Sequence, residues 1–587
     1  MSGIGVVAER PESKPALRGT FKSSAKFSAR LPYLLPYLGA LSFALWSLRG
    51  VGHSDIVDTD AARHAMNGAF IYDLVRGGHL THPIDFAKAY YGHLPAITMP
   101  FHPVVFPAIV SGFYALFGVK ALSARLAVAL AVGICFLLLY RLVEATLRNS
   151  AIAACTAITV LSIWRVQLVA TDVMLELPAM AFTLAALYCL RDLTFQEEAR
   201  AFPWGRALLF TVLGGLAIST KQHAVFLGGV PVLGALLTRR WRLLKRPQIW
   251  ISAAVLLGIG AGWALVWAHF QGSARNGNQV ASSPQALRLI PFKNARLYSQ
   301  WIWEDLTALP GIFAVCSIAA FACAVWKRQW RRAGLSLEKV AHNGLAGRGQ
   351  ARGVSHSSDA APGGLCALYL AWMISAALVL LVLGAVDPRY LFFLIPAAIV
   401  TAYAMLWRGC ASLWGERRAW YVPTLFGIAW FLTGLFFQPE YLRGPAEAAA
   451  LVTESGTARV LYAGEADGNF IFAVRSRDPN MQTTVIPAEK LPASTFGPEA
   501  LERFCRHFGI NWIVLEDVPL VHEKWSSMAA SPAPSMRLER SFPLESSRTR
   551  WQNGRIQIYR FAAPFDPGGG VLELPVRKLD HPIKIKL

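Results

Sequence analysis

Charged residues are scarce in this sequence. Only 16% of its 587 residues are Asp, Glu, Lys or Arg, whereas 54% are hydrophobic. A soluble protein of this length needs more charge to keep its surface hydrated. The apolar residues form runs of about 15 to 22, the length that crosses the core of a bilayer. The composition therefore excludes an ordinary soluble protein and predicts a polytopic membrane protein.

Acidic residues are outnumbered, and the formal net charge is +21. In a soluble protein this excess would point to nucleic acid. Here the basic residues lie in short segments between the apolar runs, which is the pattern of cytoplasmic loops in membrane proteins. We therefore expect a membrane as a partner and no nucleic acid.

Cysteine pairs are lacking in the polar C-terminal part. Of the eight cysteines, Cys505 alone falls there, so that part cannot form an internal disulfide. No spacing of cysteine and histidine matches a zinc site. The C-terminal part must therefore be stabilised by its own hydrophobic core.

The apolar runs predict about eleven membrane-spanning helices. They are residues 31–50, 121–142, 151–164, 176–191, 207–220, 222–238, 249–270, 308–326, 364–386, 390–407 and 420–438. Every second connection is basic, which places those connections and the basic segment 1–30 in the cytoplasm. The odd number of crossings then places the C-terminus outside. The segment 1–30 is expected to precede an uncleaved anchor in a bacterial inner membrane, because no small-x-small cleavage site follows it.

Three segments complete the predicted transmembrane domain, residues 31–440. A large first outer loop covers 51–120, and its apolar part, 101–118, is predicted to lie at the outer interface. Counting 101–118 as a span would put every later basic loop outside. Residues 333–362 are rich in Gly, Ser and Arg and are predicted to be a flexible cytoplasmic loop.

The C-terminal part, residues 441–575, is predicted to be a small extracytoplasmic α/β domain. Strands are predicted at RVLYAG (459–464), TTVIPA (483–488) and NWIVLED (511–517), a helix at LERFCRHFG (501–509) and an edge strand at GRIQIYRF (554–561). The alternation of apolar and polar residues supports the strands. Residues 576–587 are predicted to be a loose tail.

Carboxylates in the outer loops are candidates for chemistry. Asp58 and Asp60 follow the first span, and either could act as a general base if its pKa suits the working pH. Asp is also a common helix N-cap, which is the structural alternative. In the second outer turn, Asp172 and Glu176 are four residues apart and predicted to share a helical face. They could hold an acceptor or a divalent metal, or could simply favour a helix N-terminus.

Two isolated cations are candidates for binding phosphate. Lys221 follows GLAIST, and Arg389 lies in DPRYLFFLIP between two apolar runs. Arg can bind a phosphate with two hydrogen bonds, although either side chain could instead reach the membrane surface by snorkelling. His102, in PFHPVVFP, is a weaker candidate for contact with a substrate.

Taken in order, several stretches resemble the GT-C superfamily of polytopic glycosyltransferases. They are similar to the branch with protein O-mannosyltransferases and lipid A aminoarabinose transferases. The stretches are DTDAARHAMNGAFIYDL, MPFHPVVFPAIVSGFYALFG with SARLAVAL, TDVMLELPAMAFTLAALY, LGGLAISTKQHAVFLGGVP and DPRYLFFLIPA. They cover roughly residues 31–410 in order. The resemblance implies an α-helical GT-C-like membrane fold.

The resemblance also implies roles for individual residues. Asp60 falls at the catalytic acid of the first outer loop, where Thr59 replaces the acid that usually precedes it, so Asp58 stays an alternative base. Glu176 falls at the acidic position of the second outer turn. Lys221 and the Arg389–Tyr390 pair fall at the positions for the donor phosphate. His102–Pro103 occupies the place of a basic-Pro-Pro segment, with Val104 instead of the second proline.

The implied reaction is an inverting transfer from a polyprenyl-phosphate sugar to a hydroxyl of a lipid, glycan or protein acceptor. Many relatives need no metal, and the Asp-x-Asp motif of metal-dependent oligosaccharyltransferases is missing from the second outer loop. We therefore expect no required cofactor, with a divalent metal as the alternative. The competing function is a transporter or flippase, which would predict repeats with matching broken helices. The sequence shows none.

Overall fold

The structure is a computed structural model of the chain. It describes residues 22–52, 54, 56–99, 102–193, 202–271, 284–305, 309–323, 325–326, 363–382, 387–518, 532–566, 570–574 and 582–586. The predicted cytoplasmic loop 333–362 and most of the basic segment 1–30 lie outside the described residues.

The N-terminal part of the described chain is helical. Its helices are α1 (Lys22–Ser47), α2 (Thr59–Arg76), α3 (Pro83–His93), α4 (Val105–Phe117), α5 (Ala121–Leu147), α6 (Ser150–Ser162), α7 (Trp164–Ala170), α8 (Glu176–Cys189), α9 (Trp204–Ile218), α10 (Val230–Leu237), α11 (Pro247–Gln271), α12 (Pro284–Asp305), α13 (Leu309–Cys323), α14 (Gly363–Val382), α15 (Ile395–Trp414) and α16 (Tyr421–Leu435). Short 3₁₀ helices precede α10 at Gln222–Gly229 and α15 at Pro388–Phe393. Every apolar run predicted to span therefore contains a helix.

The number of spans stays a prediction. Among the described residues, two helical stretches are long and apolar enough to cross a membrane by themselves, Ala121–Leu147 and Pro247–Val266. The number rises to four if two sharply bent helix pairs each count as one span. Several other apolar helices are shorter than about 20 residues, the length that crosses the hydrocarbon core unaided.

Helix α4 corresponds to the apolar segment 101–118. Phe106, Val110 and Tyr114 are buried, and the Tyr114 hydroxyl donates to the carbonyl of Ala65 on α2 at 3.2 Å. Leu116, at the end of α4, is exposed. The helix thus packs one face on α2 and leaves apolar residues outside, an arrangement compatible with the predicted interfacial location.

The C-terminal part is an α/β domain, as predicted. Its main elements are β1 (Leu442–Arg443), α17 (Pro445–Glu454), β2 (Ala458–Ala463), α18 (Asp467–Arg477), β3 (Thr483–Pro487), α19 (Pro498–Phe508), β4 (Trp512–Asp517), β5 (Met536–Ser546) and β6 (Gly554–Phe561). They form a six-stranded sheet of order β1-β5-β6-β4-β2-β3. Strands β3, β2 and β4 are parallel, which requires the crossover helices α18 and α19 between them.

Two predictions for this domain need correction. Strand β6 pairs with both β4 and β5, so it is an interior strand; its polar alternation reflects one solvated face of the antiparallel part rather than an edge. Part of the predicted loose tail is also a strand, because β8 (Ile583–Lys586) pairs with β7 (Val571–Leu574).

The soluble domain docks on α2 through a buried ion pair. Arg475 of α18 donates to Asp73 of α2 from Nε at 2.8 Å and from Nη2 at 2.5 Å. The hydroxyl of Tyr90 on α3 also donates to Asp73, at 3.1 Å. A buried pair needs such additional hydrogen bonds to offset the loss of hydration. The segment 51–120 and the C-terminal α/β domain are therefore joined by specific contacts.

Candidate active site

Asp60 lies in the first turn of α2, and Asp58 fixes the start of that helix. Oδ1 of Asp58 accepts from the backbone N–H of Asp60 at 2.8 Å, a typical N-cap. Asp60 is thereby held with its own carboxylate free of the backbone. Oδ2 of Asp60 accepts from Nη2 of Arg389 at 3.1 Å.

Arg389 is presented by the 3₁₀ helix Pro388–Phe393. Asp387 caps that helix, accepting from the backbone N–H of Arg389 at 2.8 Å. The same carboxylate accepts from Nε and Nη2 of the guanidinium, both at 3.1 Å. Within the Asp-Pro-Arg sequence, Asp387 thus orients the guanidinium of Arg389 towards Asp60.

Lys221 and Glu176 form a second ion pair. Nζ of Lys221 donates to Oε1 of Glu176, and the two residues are 8% and 1% exposed. Among the described residues, Oε2 of Glu176 accepts no hydrogen bond. Nζ of Lys221 also lies 5.2 Å from the ring centre of Tyr390, within the range of a cation–π contact. Tyr390 therefore joins this pair to the neighbouring Arg389.

The two ion pairs act on one another. Burial by itself disfavours a charged Arg389, but Asp387, Glu176 and Asp60 together hold its pKa above the usual value. Burial likewise favours a neutral Asp60, but Arg389, His102 and Arg63 outweigh it and keep the pKa of Asp60 low. The structure thus brings together Asp60, Glu176, Lys221, Arg389 and Tyr390, and the roles predicted for them stay predictions.

A neutral histidine lines the same site. His64, one turn after Asp60 on α2, is 3% exposed, and burial with the nearby charges of Lys221 and Arg389 lowers its pKa to about 3. Its ring packs edge-on against His102 with centroids 4.8 Å apart. His102 therefore lies beside the site. The sequence analysis missed His64 as a site residue, although its i+4 spacing from Asp60 on a helix was a usable signal.

Asp172 has a different place from the one predicted. Helix α7 ends at Ala170 and α8 begins only at Glu176, so Asp172 lies in the turn and does not share a helical face with Glu176. Proline at position 178, in the first turn, favours a helix start there. Oδ2 of Asp172 accepts from the backbone N–H of Asp58 at 2.8 Å, and burial raises the pKa of Asp172 to about 6.

Both carboxylate oxygens of Asp58 accept hydrogen bonds. Besides capping α2, its Oδ2 accepts from Nη2 of Arg548 at 2.9 Å, and Arg548 also pairs with Glu440 at 2.8 Å. Asp58 and Asp172 therefore hold the start of α2, which carries Asp60. Within the described ranges, no group of three or more His, Cys, Asp or Glu side chains is arranged to hold a metal ion.

A family model matches part of the chain. Residues 101–267 match the family model described as dolichyl-phosphate-mannose-protein mannosyltransferase. No curated protein sequence matches the chain significantly.

Two solved structures are similar to this chain, and the first of them carries the likeness of fold. ArnT from Cupriavidus metallidurans, bound to undecaprenyl phosphate, is similar over 92% of this chain and 100% of its own, with a TM-score of 0.53 and 15% identity. The oligosaccharyltransferase AglB from Archaeoglobus fulgidus, in complex with an inhibitory peptide and a dolichol-phosphate, gives a TM-score of 0.44 at 10% identity over 89% of this chain and 75% of its own.

The resemblance to GT-C polytopic glycosyltransferases predicted from the sequence is confirmed, and these findings support a membrane glycosyltransferase.

Proposed function

We propose that the protein transfers a sugar from a polyprenyl-phosphate donor to an acceptor hydroxyl at the extracytoplasmic face of the membrane. The observation that carries the proposal is the pair of adjacent ion pairs, Asp60–Arg389 at 3.1 Å and Lys221–Glu176. Each cation can exchange its carboxylate partner for a phosphate. The ArnT structure, bound to undecaprenyl phosphate, supports this class of donor.

Lys221 and Arg389 would bind the donor phosphate. Arg389 offers a planar guanidinium for two hydrogen bonds, while Lys221 acts as a compact point charge. The negative charge that develops on the leaving phosphate is stabilised by these preorganised cations.

Asp60 would serve as the general base. Its low pKa keeps it ionised, and therefore able to accept a proton, at any physiological pH. When Arg389 engages the phosphate, its hold on Asp60 weakens and the carboxylate becomes a stronger base. Asp60 then takes the proton of the acceptor hydroxyl, whose oxygen attacks the anomeric carbon. The bond from that carbon to the phosphate oxygen breaks, polyprenyl phosphate leaves, and the configuration inverts.

Substitution of Asp60 by Asn tests this function. Asn keeps the shape but cannot take a proton, so we expect turnover of a labelled polyprenyl-phosphate sugar to fall by about 10²–10⁴-fold. Asp85→Asn is the matched control, because Asp85 is an exposed carboxylate in the same outer loop, and it should retain activity. Wild-type turnover by the Asp60 variant would refute its role as base.

A further inference from the structure

Arg63 is shared between the site and the soluble domain. It lies one turn after Asp60 on α2, with Nη1 3.9 Å from Oδ1 of Asp60. Its other terminal nitrogen, Nη2, lies 3.5 Å from Oδ1 of Asp467 on α18. Because 3.9 Å exceeds hydrogen-bonding distance, Arg63 donates no hydrogen bond to Oδ1 of Asp60, whereas Oδ2 of Asp60 accepts one from Arg389.

Asp467 is held in the position from which its carboxylate attracts the guanidinium of Arg63. It is the first residue of α18 and its side chain is 7% exposed. Its Oδ1 accepts from the backbone N–H of Gly468 at 2.7 Å. Burial raises the pKa of Asp467, and Arg63 is the cation that most strongly opposes this rise. The carboxylate of Asp467 and the guanidinium of Arg63 therefore stabilise each other.

The start of α18 cannot move independently of α2. The side-chain amide of Asn469 donates to the carbonyl of Ile56 at 2.5 Å, just before the loop that carries Asp60. A Cβ on Gly468 would lie 3.4 Å from the carbonyl oxygen of Thr59, so the two helix starts are in direct contact. Arg475, at the other end of α18, is locked to Asp73. The distances from Asp467 to α2 are thus set by three separate contacts.

We propose that Asp467 is a positioning residue for Asp60: by holding Arg63, it keeps one oxygen of the Asp60 carboxylate open for the acceptor hydroxyl. This inference rests on the proposed function of Asp60. It makes the soluble domain a contributor to the active site, although Asp467 itself touches no reacting atom. Without Asp467, Arg63 is released to form a close ion pair with Oδ1 of Asp60.

The test compares Asp467→Asn with the double variant Arg63→Gln/Asp467→Asn in the full-length protein. We expect kcat of the single variant to fall by about tenfold with KM for the donor unchanged, because a charge-assisted hydrogen bond to the base must break before each transfer. The double variant should recover most of the loss, since the competing guanidinium is gone. Asp467→Glu should also retain activity.

A second measurement needs no transferase activity. Carbodiimide modifies protonated carboxyl groups, and Asp60 is 37% exposed at its side chain. The rate at which Asp60 is modified at pH 5, measured by mass spectrometry, should be lower in Asp467→Asn and should return to the wild-type rate in the double variant. Neither variant substitutes Arg389 or His102. Glu545→Gln, an exposed carboxylate on β5, is the matched control.

The outcomes separate the two claims. Unchanged kcat and unchanged labelling in Asp467→Asn, or a double variant as impaired as the single one, would overturn the positioning role. Labelling that follows the expected order in a protein without transferase activity would uphold the contact between Asp467, Arg63 and Asp60 and reject the proposed function.

Discussion

At the scale of single residues, the site is built from two pairs of opposite charges, Asp60 with Arg389 and Lys221 with Glu176. Lys221 and Glu176 are both buried, and breaking such a pair leaves an uncompensated charge, which costs more than the pair itself contributes. A single substitution of Lys221 or Glu176 therefore changes both the stability and the phosphate affinity. A double substitution of the pair separates the two effects, because it leaves no unpaired charge.

Lys221→Met should lower both stability and donor affinity. The lone carboxylate of Glu176 is expected to cost about 3–5 kcal/mol of unfolding free energy, visible as a lower thermal midpoint in detergent. Adding Glu176→Gln should restore most of the midpoint but not the affinity for polyprenyl phosphate. If the double variant binds polyprenyl phosphate as tightly as the wild type, Lys221 does not bind the phosphate.

The sequence predicted the members of this site better than their partners. Asp60, Glu176, Lys221 and Arg389 stand out because charge beside apolar runs is costly. Their pairing could not be read from spacing, since Glu176 and Lys221 are 45 positions apart and Asp60 and Arg389 are 329 apart. Arg63 was overlooked because its second partner, Asp467, comes from another domain.

At the scale of elements, the contact of α2 with α4 positions the helix that carries Asp60. Gly68 of α2 faces α4, and a Cβ at that position would lie 2.6 Å from Cγ1 of Val110. Real Cβ atoms do not approach so closely, so the absence of a side chain lets the two helices meet. Helix α4 itself was predictable from its apolar run, but its packing partner was not.

Gly68→Ala should push α4 away from α2. We expect a loss of about 1–3 kcal/mol in unfolding free energy, as for other overpacked contacts. Gly112→Ala on α4 is the matched control, because a Cβ there meets open space. That change should stabilise the helix by roughly 0.5–1 kcal/mol, since alanine replaces glycine. Equal thermal midpoints for the two variants would contradict the close packing of α2 on α4.

At the scale of the whole molecule, the C-terminal α/β domain and the segment that carries α2 form a continuous unit. Arg475 and Asp73 are 2% and 8% exposed, and Arg548 joins Asp58 to Glu440. The sequence predicted an α/β domain from its strand pattern, including four of the sheet's six strands. It held no signal for the docking of that domain, because complementary surfaces arise only once both parts have folded.

Arg475→Ala should weaken the whole assembly. Removal of the guanidinium strands Asp73 in a buried position, at a cost of about 3–5 kcal/mol. Arg443→Ala, which breaks an exposed pair with Glu545 in the same domain, should change stability by less than about 1 kcal/mol. Hydrogen exchange of α18 in the full-length protein measures the difference. Similar protection in both variants would show that the buried pair does not hold the domains together.

The 402 positions between Asp73 and Arg475 also fix an order of events during biosynthesis. At about 5–20 residues per second, the ribosome needs roughly 20 to 80 s to add the partner after Asp73 has been made. During this time Asp73 of α2 lacks α18, the helix that supplies Arg475. A nascent chain interrupted before α18 thus lacks the guanidinium that pairs with Asp73, and the helix that carries Asp60 is left without this contact to the C-terminal domain.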